Sequence, residues 1–209
     1  MGLDKVAGTL FALAAGISSD GTVYGVNTFY PSFESRAVIW TAGSTTPTEI
    51  PMPTGGRPGG GNIRSGQVFN DAGMFFGEVA SDPFNFGSGI VYRNGIFEAL
   101  AQLPNAFSTW QVPYGLNERG EIVGISMASD GFQPVLWLRD NSVIALGVPP
   151  GAYTGGGSAQ AINNRGLIVG SALREWHDGR AEPGAVLWRC KPKLDDGNLS
   201  SATCKTEKK

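Results

Sequence analysis

The sequence predicts an all-β protein built from four copies of one repeat, in the form of a small β-propeller-like fold with four four-stranded blades. Its 209 residues include 31 glycines and only 16% charged residues, a composition typical of short strands joined by tight turns. Aromatic residues make up 10% and recur along the chain, so they can supply a core throughout. A nine-residue pattern also occurs four times, which indicates a repeat architecture.

The repeated pattern is an apolar residue, Asn or Ser, two variable residues, Gly, one variable residue, two apolar residues and Gly. Its first glycines are Gly21, Gly73, Gly120 and Gly166, spaced 52, 47 and 46 residues apart. Asn or Ser at the start of a turn bonds the backbone two residues on, and Gly supplies the left-handed conformation that closes the turn. The pattern therefore predicts a β-hairpin, and its second Gly predicts a bulge or a close backbone approach.

Each hairpin is followed by the elements that would complete a blade. A variable loop leads to a third strand that ends in an aromatic residue, at Trp40, Tyr92, Trp137 and Trp188. A turn and a fourth apolar strand follow. We therefore predict one domain over residues 1–190, with repeats at about 16–62, 68–112, 115–158 and 161–190, and a polar tail over 191–209.

The segment 4–15 precedes the first repeat, and the fourth repeat stops early. We expect this segment to be a strand that completes the last blade, because that pairing would hide both free sheet edges. Residues 12–14 have the form of a signal-peptide cleavage site, but Asp4 beside Lys5 cancels the positive charge that a leader carries. Stacked hairpins, a sandwich, and a half-ring that pairs with a second chain are the alternatives.

The two cysteines, Cys190 and Cys204, predict a disulfide, with two free thiols as the alternative. A bridge closing a loop of about 15 residues would contribute roughly 3 kcal/mol and imply an oxidising compartment, hence an extracellular or periplasmic protein.

Composition and charge also argue against several kinds of partner. Net charge is −2 with no basic face, which argues against nucleic acid, and no apolar run is long enough to span a membrane. One His and two Cys do not make a four-ligand zinc site, and the glycine runs lack the Lys and helix of a phosphate loop. We predict no cofactor and no metal site, with calcium bound by loop oxygens left open.

The best copies of the pattern span Leu116–Gly124 and Ile162–Gly170, each followed by a strand that ends in Leu-Trp. They resemble the HAF-type repeat of bacterial proteins, and the resemblance covers about residues 10–190. Ser18 and Tyr92 depart from it, where the pattern has Asn and Trp. The resemblance implies β architecture and an extracellular location, and it implies no defined reaction and no catalytic residue.

The loops between the second and third strands, residues 27–35, 81–88, 126–133 and 173–184, vary in length and composition, as binding loops do. Equivalent loops would share one face. Exposed aromatic residues among amides suit a sugar ring or a protein anchor, whereas the alternative is that they cap the core. The candidate ligand-binding residues are Phe29, Tyr30, Phe33, Phe84, Phe86, Phe132, Trp176 and His177.

Catalysis has weaker support in the sequence. His177 is the only histidine, and no serine lies on a nucleophile elbow. Asp82, Asp130 and Asp178 hold equivalent loop positions and suit turns. The sequence therefore favours a non-catalytic secreted or surface module that binds a glycan or a protein. The alternatives are an assembly protein that uses the same face as a homo-oligomer interface, and a polysaccharide hydrolase or lyase that uses loop carboxylates.

Overall fold

The computed structural model describes residues 2–32, 34–58, 67–80, 87–175, 180–195 and 198–206. Its regular structure is entirely β-strand, which confirms the all-β prediction. Within these residues there is no helix, and hence none that is long and apolar enough to cross a membrane.

The described strands fall into four consecutive units. Unit 1 contains β1 (Thr9–Ile17), β2 (Val23–Phe29), β3 (Ser35–Trp40) and β4 (Thr48–Ile50). Unit 2 contains β5 (Gly56–Pro58), β6 (Phe75–Ala80), β7 (Gly87–Arg93) and β8 (Ile96–Ala99). Unit 3 contains β9 (Ala106–Leu116), β10 (Ile122–Ala128), β11 (Gly131–Trp137) and β12 (Val143–Ala145). Unit 4 contains β13 (Ala152–Ile162), β14 (Leu167–Glu175), β15 (Ala181–Asp195) and β16 (Asn198–Thr206).

Within each unit the strands pair in sequence order and antiparallel. Units 1 and 2 are separate four-stranded sheets. Units 3 and 4 form one eight-stranded sheet, because a parallel bridge between Phe132 and Gly156 joins β11 to β13. The described strands therefore form sheets of four, four and eight strands, and a repeat of about 46–52 residues corresponds to each unit.

The repeated hairpin connects the first two strands of units 1, 3 and 4, and in unit 2 the same turn lies between the bridged residues Phe69 and Phe75. In unit 3, Asn117 N donates to Glu121 O at 3.1 Å, and Gly120 N donates to Asn117 O at 3.1 Å. The side-chain Oδ1 of Asn117 accepts from Arg119 N and Glu121 N, both at 3.0 Å. Gly120 has a φ of 78°, the left-handed conformation that the turn requires. The predicted turn is therefore confirmed.

The second glycine of the pattern lies where two backbones come close together. A Cβ on Gly124 would overlap the carbonyl oxygen of Val112 in the neighbouring strand, and Gly170 has the same relationship to Ser158. The β9–β10 register shifts beside Gly124, as a bulge requires. The predicted bulge and close approach are both found here.

The aromatic residues that end the third strands pack in the core. Trp40, Trp137 and Trp188 are at most 1% exposed. The indole N–H of Trp137 donates to Ala101 O at 2.8 Å, and that of Trp188 donates to Gly147 O at 2.9 Å. Each acceptor lies in the connection that enters the tryptophan's own unit, so the indole fixes that connection against the sheet.

The N-terminal segment does not complete the last unit, contrary to expectation. β1 pairs with β2, and Trp40 Nε1 donates to Asp4 O at 2.8 Å, so residues 4–8 serve unit 1 as the later connections serve units 3 and 4. β1 and β2 are joined by a short hairpin, whereas pairing with unit 4 would require closing a loop of most of the chain. Local closure therefore decides the pairing.

The C-terminal residues assigned to a polar tail instead supply the fourth strand of unit 4. β16 pairs with β15 from Trp188↔Thr206 to Asp195↔Asn198. The Cys190–Cys204 disulfide links directly opposed residues of this hairpin, as predicted. The first strand of each unit also begins before the predicted start of its repeat, and the Gly-rich segment 152–157 belongs to such a strand.

Candidate functional site

A groove of about 1140 Å³ lies between unit 1 and the connection to unit 2. One wall carries Phe11 and Leu13 from β1, with Thr28, Glu34 and Arg36 from the β2–β3 region. The other wall is the chain from residue 51 to 58, with Glu78 from β6. The groove thus begins beside the first of the four loops that the sequence indicated as binding loops.

Arg36 forms ion pairs with two of the carboxylates that line this groove. Its Nε lies 3.0 Å from Glu34 Oε1 and its guanidinium also lies 3.0 Å from Glu49 Oε2. The guanidinium carbon is 4.2 Å from the centre of the Phe29 ring, within cation–π range. The hydrogen bonds to Glu34 and then to Glu49 raise the pKa of the Arg36 guanidinium. Arg36 therefore lies between two carboxylates and against an aromatic ring.

Strand pairing brings these three charged residues together. Arg36 lies on β3 opposite Asn27, and Glu49 lies on β4 opposite Val38, two residues further along β3. This diagonal separation across an antiparallel pair is within reach of long side chains. Glu34 lies at the end of the β2–β3 loop, where its carbonyl oxygen accepts from Phe29 N at 2.9 Å.

The opposite wall places a second pair of opposite charges in the groove. Arg57 on β5 and Glu78 on β6 are directly opposed in the register, with Met52 nearby on the same wall. The backbone at Gly77, next to Glu78, lies close to β5, since a Cβ there would come within 2.5 Å of Arg57 O. The groove therefore has charged groups on both walls and an apolar contribution from Phe11, Leu13 and Met52.

Three of the eight predicted ligand-binding residues lie among the described residues. Phe29 is half-buried beneath Arg36, and Tyr30 is 66% exposed in the loop. Phe132 is half-buried and packs edge-on against Trp110 with ring centres 4.7 Å apart. Of these three residues, only Phe29 and Tyr30, which belong to unit 1, therefore lie near the groove. Phe33, Phe84, Phe86, Trp176 and His177 lie outside the described residues, as do Asp82 and Asp178.

The structure places further exposed aromatic residues at the ends of the units that carry the loops between the second and third strands. Phe11, Phe107 and Tyr153 are 51%, 79% and 44% exposed and lie near the beginnings of β1, β9 and β13. An antiparallel pair places the start of the first strand beside the end of the second, as the Ala106↔Ala128 pairing shows. They are absent from the candidate residues because only the loops between the second and third strands were considered as binding loops.

Comparison with known proteins assigns no family or function to the chain. No protein-family model matches the chain, and a search of curated proteins finds no significant match. In the part of the chain that the structure describes, no group of three or more His, Cys, Asp or Glu side chains is placed to hold a metal ion. Fold and site together define an all-β repeat protein with a charged, partly apolar groove between its first two units.

Proposed function

We propose that this protein is a non-catalytic binding module that recognises a glycan in the groove between units 1 and 2. The observation that carries the proposal is the fixed position of Arg36 between Glu34 and Glu49, beside the exposed ring of Phe11. Carboxylate and guanidinium groups offer paired acceptors and donors, and adjacent sugar hydroxyls can engage them two at a time. An exposed ring offers an apolar surface for a sugar face.

The charges of the groove favour a glycan over a protein partner. The centre of a protein–protein interface is depleted of charged residues, because burying them without partners is costly. Here both walls carry charge, through Arg36, Glu34 and Glu49 on one side and Arg57 and Glu78 on the other. A polyhydroxylated ligand leaves such groups hydrogen-bonded and partly solvated, so it occupies the groove at lower desolvation cost.

The proposal extends to fold family and location. We propose that the four units are propeller-like blades of the HAF-repeat type and that the protein works outside the cytoplasm. Four units with equivalent turns support the first part, and the Cys190–Cys204 disulfide supports the second, since disulfides persist in oxidising compartments. The structure of the complete assembly and fractionation of the source cells would test them.

The groove is tested by retention on immobilised polysaccharides in affinity electrophoresis. Arg36→Ala should weaken retention at least about tenfold, since a hydrogen bond to a charged group contributes about 1.5–3 kcal/mol and 1.4 kcal/mol is a factor of ten. Phe11→Ala should also weaken retention, because it removes the apolar ring surface that a sugar face would cover. Lys191→Ala and Ile96→Ala change an exposed charge and an exposed apolar residue elsewhere, and should have no effect.

Other outcomes would reject this site. Loss of retention through Tyr30→Ala, Phe107→Ala or Tyr153→Ala, with Arg36→Ala unchanged, would place binding on the aromatic ends of the units instead. Release of new reducing ends from a retained polysaccharide would show that the protein is a hydrolase and not a non-catalytic binding module. Absence of retention on every polysaccharide tested, by folded protein, would reject glycan recognition.

A further inference from the structure

The hairpin turns of units 2, 3 and 4 are connected by a directional series of hydrogen bonds. Asn70 Nδ2 donates to Asn117 O at 3.1 Å, and Asn117 Nδ2 donates to Asn163 O at 3.1 Å. A parallel series joins the following residues, since Glu118 N donates to Asn164 Oδ1 at 2.9 Å. In each case the donor belongs to one unit and the acceptor to the next unit along the chain.

Apolar contacts between units follow the same order. Tyr24, the third residue after the turn glycine of unit 1, stacks on Phe69, which precedes the turn Asn of unit 2, with ring centres 5.6 Å apart. The equivalent residues of later units share the same core clusters, Phe76 with Leu116 and Val123 with Ile162. All six are at most 9% exposed. The two residues that stack between units 1 and 2 thus have buried counterparts in the core clusters of the later units.

Units 1 and 4 carry the two unmatched halves of this interface. Val169 in unit 4 is equivalent to Tyr24, Phe76 and Val123, yet it is 49% exposed. Ile17 in unit 1 is equivalent to Phe69, Leu116 and Ile162, yet it is 67% exposed. Since both are exposed at once, the chain does not cover one with the other.

The polar residues of the two ends are complementary as well. Asn163 is exposed, whereas the equivalent Asn70 and Asn117 are 1% exposed beneath the next unit. By the series described above, Asn163 Nδ2 is a donor for a further unit. At the other end, Ser18 O is equivalent to the acceptors Asn117 O and Asn163 O. Unit 4 thus presents the donor half and unit 1 the acceptor half.

We infer that a second copy of this chain covers these ends head to tail, with unit 4 of one copy packed on unit 1 of the other. Val169 then contacts Ile17 of the partner subunit, and Asn163 Nδ2 donates to the carbonyl oxygen of Ser18 of the partner subunit. Two such contacts close a dimer in which every unit has a neighbour on both faces. A heterologous contact that closes leaves no end exposed for further growth.

The test is the mass of the protein in solution, by light scattering coupled to size exclusion. The wild-type chain should be a dimer, and Ile17→Asp and Val169→Asp should each be monomeric, because a charge is placed against an apolar partner. Leu10→Asp, on the same strand as Ile17, and Ile96→Asp are charge-matched controls. Far-ultraviolet circular dichroism checks that each variant is folded, which is expected because both side chains are exposed in the single chain.

Mixing the two monomeric variants distinguishes a head-to-tail contact from a symmetric one. The Ile17→Asp copy retains an intact Val169 and the Val169→Asp copy retains an intact Ile17, so the mixture should recover an open dimer through one contact. A monomeric wild-type protein at all concentrations, or a mixture that stays monomeric, would overturn the inference.

A crosslinking experiment keeps the inference testable if an Asp variant does not fold. Ile17→Cys and Val169→Cys should form an intermolecular disulfide only when mixed. Self-crosslinking of Ile17→Cys alone would indicate a symmetric interface, and an intramolecular bridge in the double variant would indicate that the chain closes on itself. Either result would reject the head-to-tail assembly.

Discussion

The side-chain amide of Asn117 donates a 3.1 Å hydrogen bond to the backbone carbonyl of Asn163, which lies 46 residues further along the chain. The separation is one repeat, and the two residues hold the same position in successive hairpins. The Asn of the pattern therefore has two roles, since its oxygen closes its own turn and its nitrogen binds the next unit. A single residue type at this position links local structure to the stacking of repeats.

The first prediction follows from these two roles. Asn117→Ala removes two turn hydrogen bonds, the bond to Asn163 O and a 2.6 Å bond to Glu121, in a residue that is 1% exposed. We expect a loss of about 3 kcal/mol in the free energy of unfolding, measured by urea denaturation. In the monomeric Val169→Asp background, Asn163→Ala is the matched control, because there it loses only the two turn bonds at an exposed site, and should cost about 1 kcal/mol. Equal losses would contradict the role between units.

The second prediction concerns the close approach at Gly124. Its Cβ position overlaps Val112 O and comes within 2.9 Å of Pro113 Cα, both backbone atoms that no side-chain rotation can move away. We expect Gly124→Ala to lower the free energy of unfolding by about 2–3 kcal/mol. Gly184→Ala should have little effect, because the nearest atoms, at 3.3 Å, belong to the flexible side chain of Arg174.

The repeat and its hairpin could be predicted from sequence because their hydrogen bonds are local. Asn117 and Glu121 are four residues apart, so the pattern of residue types contains the whole interaction. The first strand of each unit could not be predicted in the same way. Residues 154–157 are Thr-Gly-Gly-Gly, which favours a connection, and their strand conformation depends on pairing with unit 4 and contact with unit 3.

The groove was inaccessible to sequence analysis for a related reason. Arg36 and Glu49 are 13 residues apart, and their contact depends on the register of β3 with β4. Arg57 and Glu78 reach the opposite wall only through the packing of the next unit. The aromatic loops were inferred from composition alone, which identifies Tyr30 as exposed but does not predict that Arg36 covers Phe29.

The third prediction concerns the disulfide in the last hairpin. Cys190 and Cys204 are 14 residues apart, so the bridge closes a short loop and should contribute roughly 3 kcal/mol to the stability of β15 and β16. The variant with both Cys190→Ala and Cys204→Ala should show faster amide hydrogen exchange in β16, while β10 changes little. Adding reductant should reproduce this in the wild-type chain and leave the double variant unchanged.

The fourth prediction is that the stability of unit 1 depends on pH through Asp20. Asp20 accepts hydrogen bonds from Ser18 Oγ at 2.6 Å and from Thr22 N at 2.9 Å, and these bonds lower its pKa below the ordinary value of 3.8. A carboxyl whose pKa falls on folding adds stability above its unfolded pKa, and this is lost as pH falls through the folded value. The melting temperature should therefore decrease below about pH 4.

Substitution of Asp20 separates this contribution from the other carboxylates. Asp20→Asn keeps a side-chain oxygen that can accept the turn hydrogen bonds, as the Asn117 amide oxygen does in unit 3. Because Asn does not titrate, the melting temperature of this variant should decrease less below about pH 4 than that of the wild type. An NMR titration of the Asp20 carboxyl gives the pKa directly. A midpoint at or above that of an unstructured Asp would contradict the prediction.

The fifth prediction concerns Asn27, which is fully buried and whose side-chain oxygen and nitrogen have no hydrogen-bond partner among the described residues. An unpaired buried polar group costs about 1–3 kcal/mol, so removing it offsets the apolar contact that is lost. The equivalent residue of unit 4 is Ala172, which is also fully buried. We therefore expect Asn27→Ala to change the free energy of unfolding by less than about 1 kcal/mol, in either direction. In urea denaturation, a loss as large as that of Asn117→Ala would show instead that the Asn27 amide is fully hydrogen-bonded, for example through buried water.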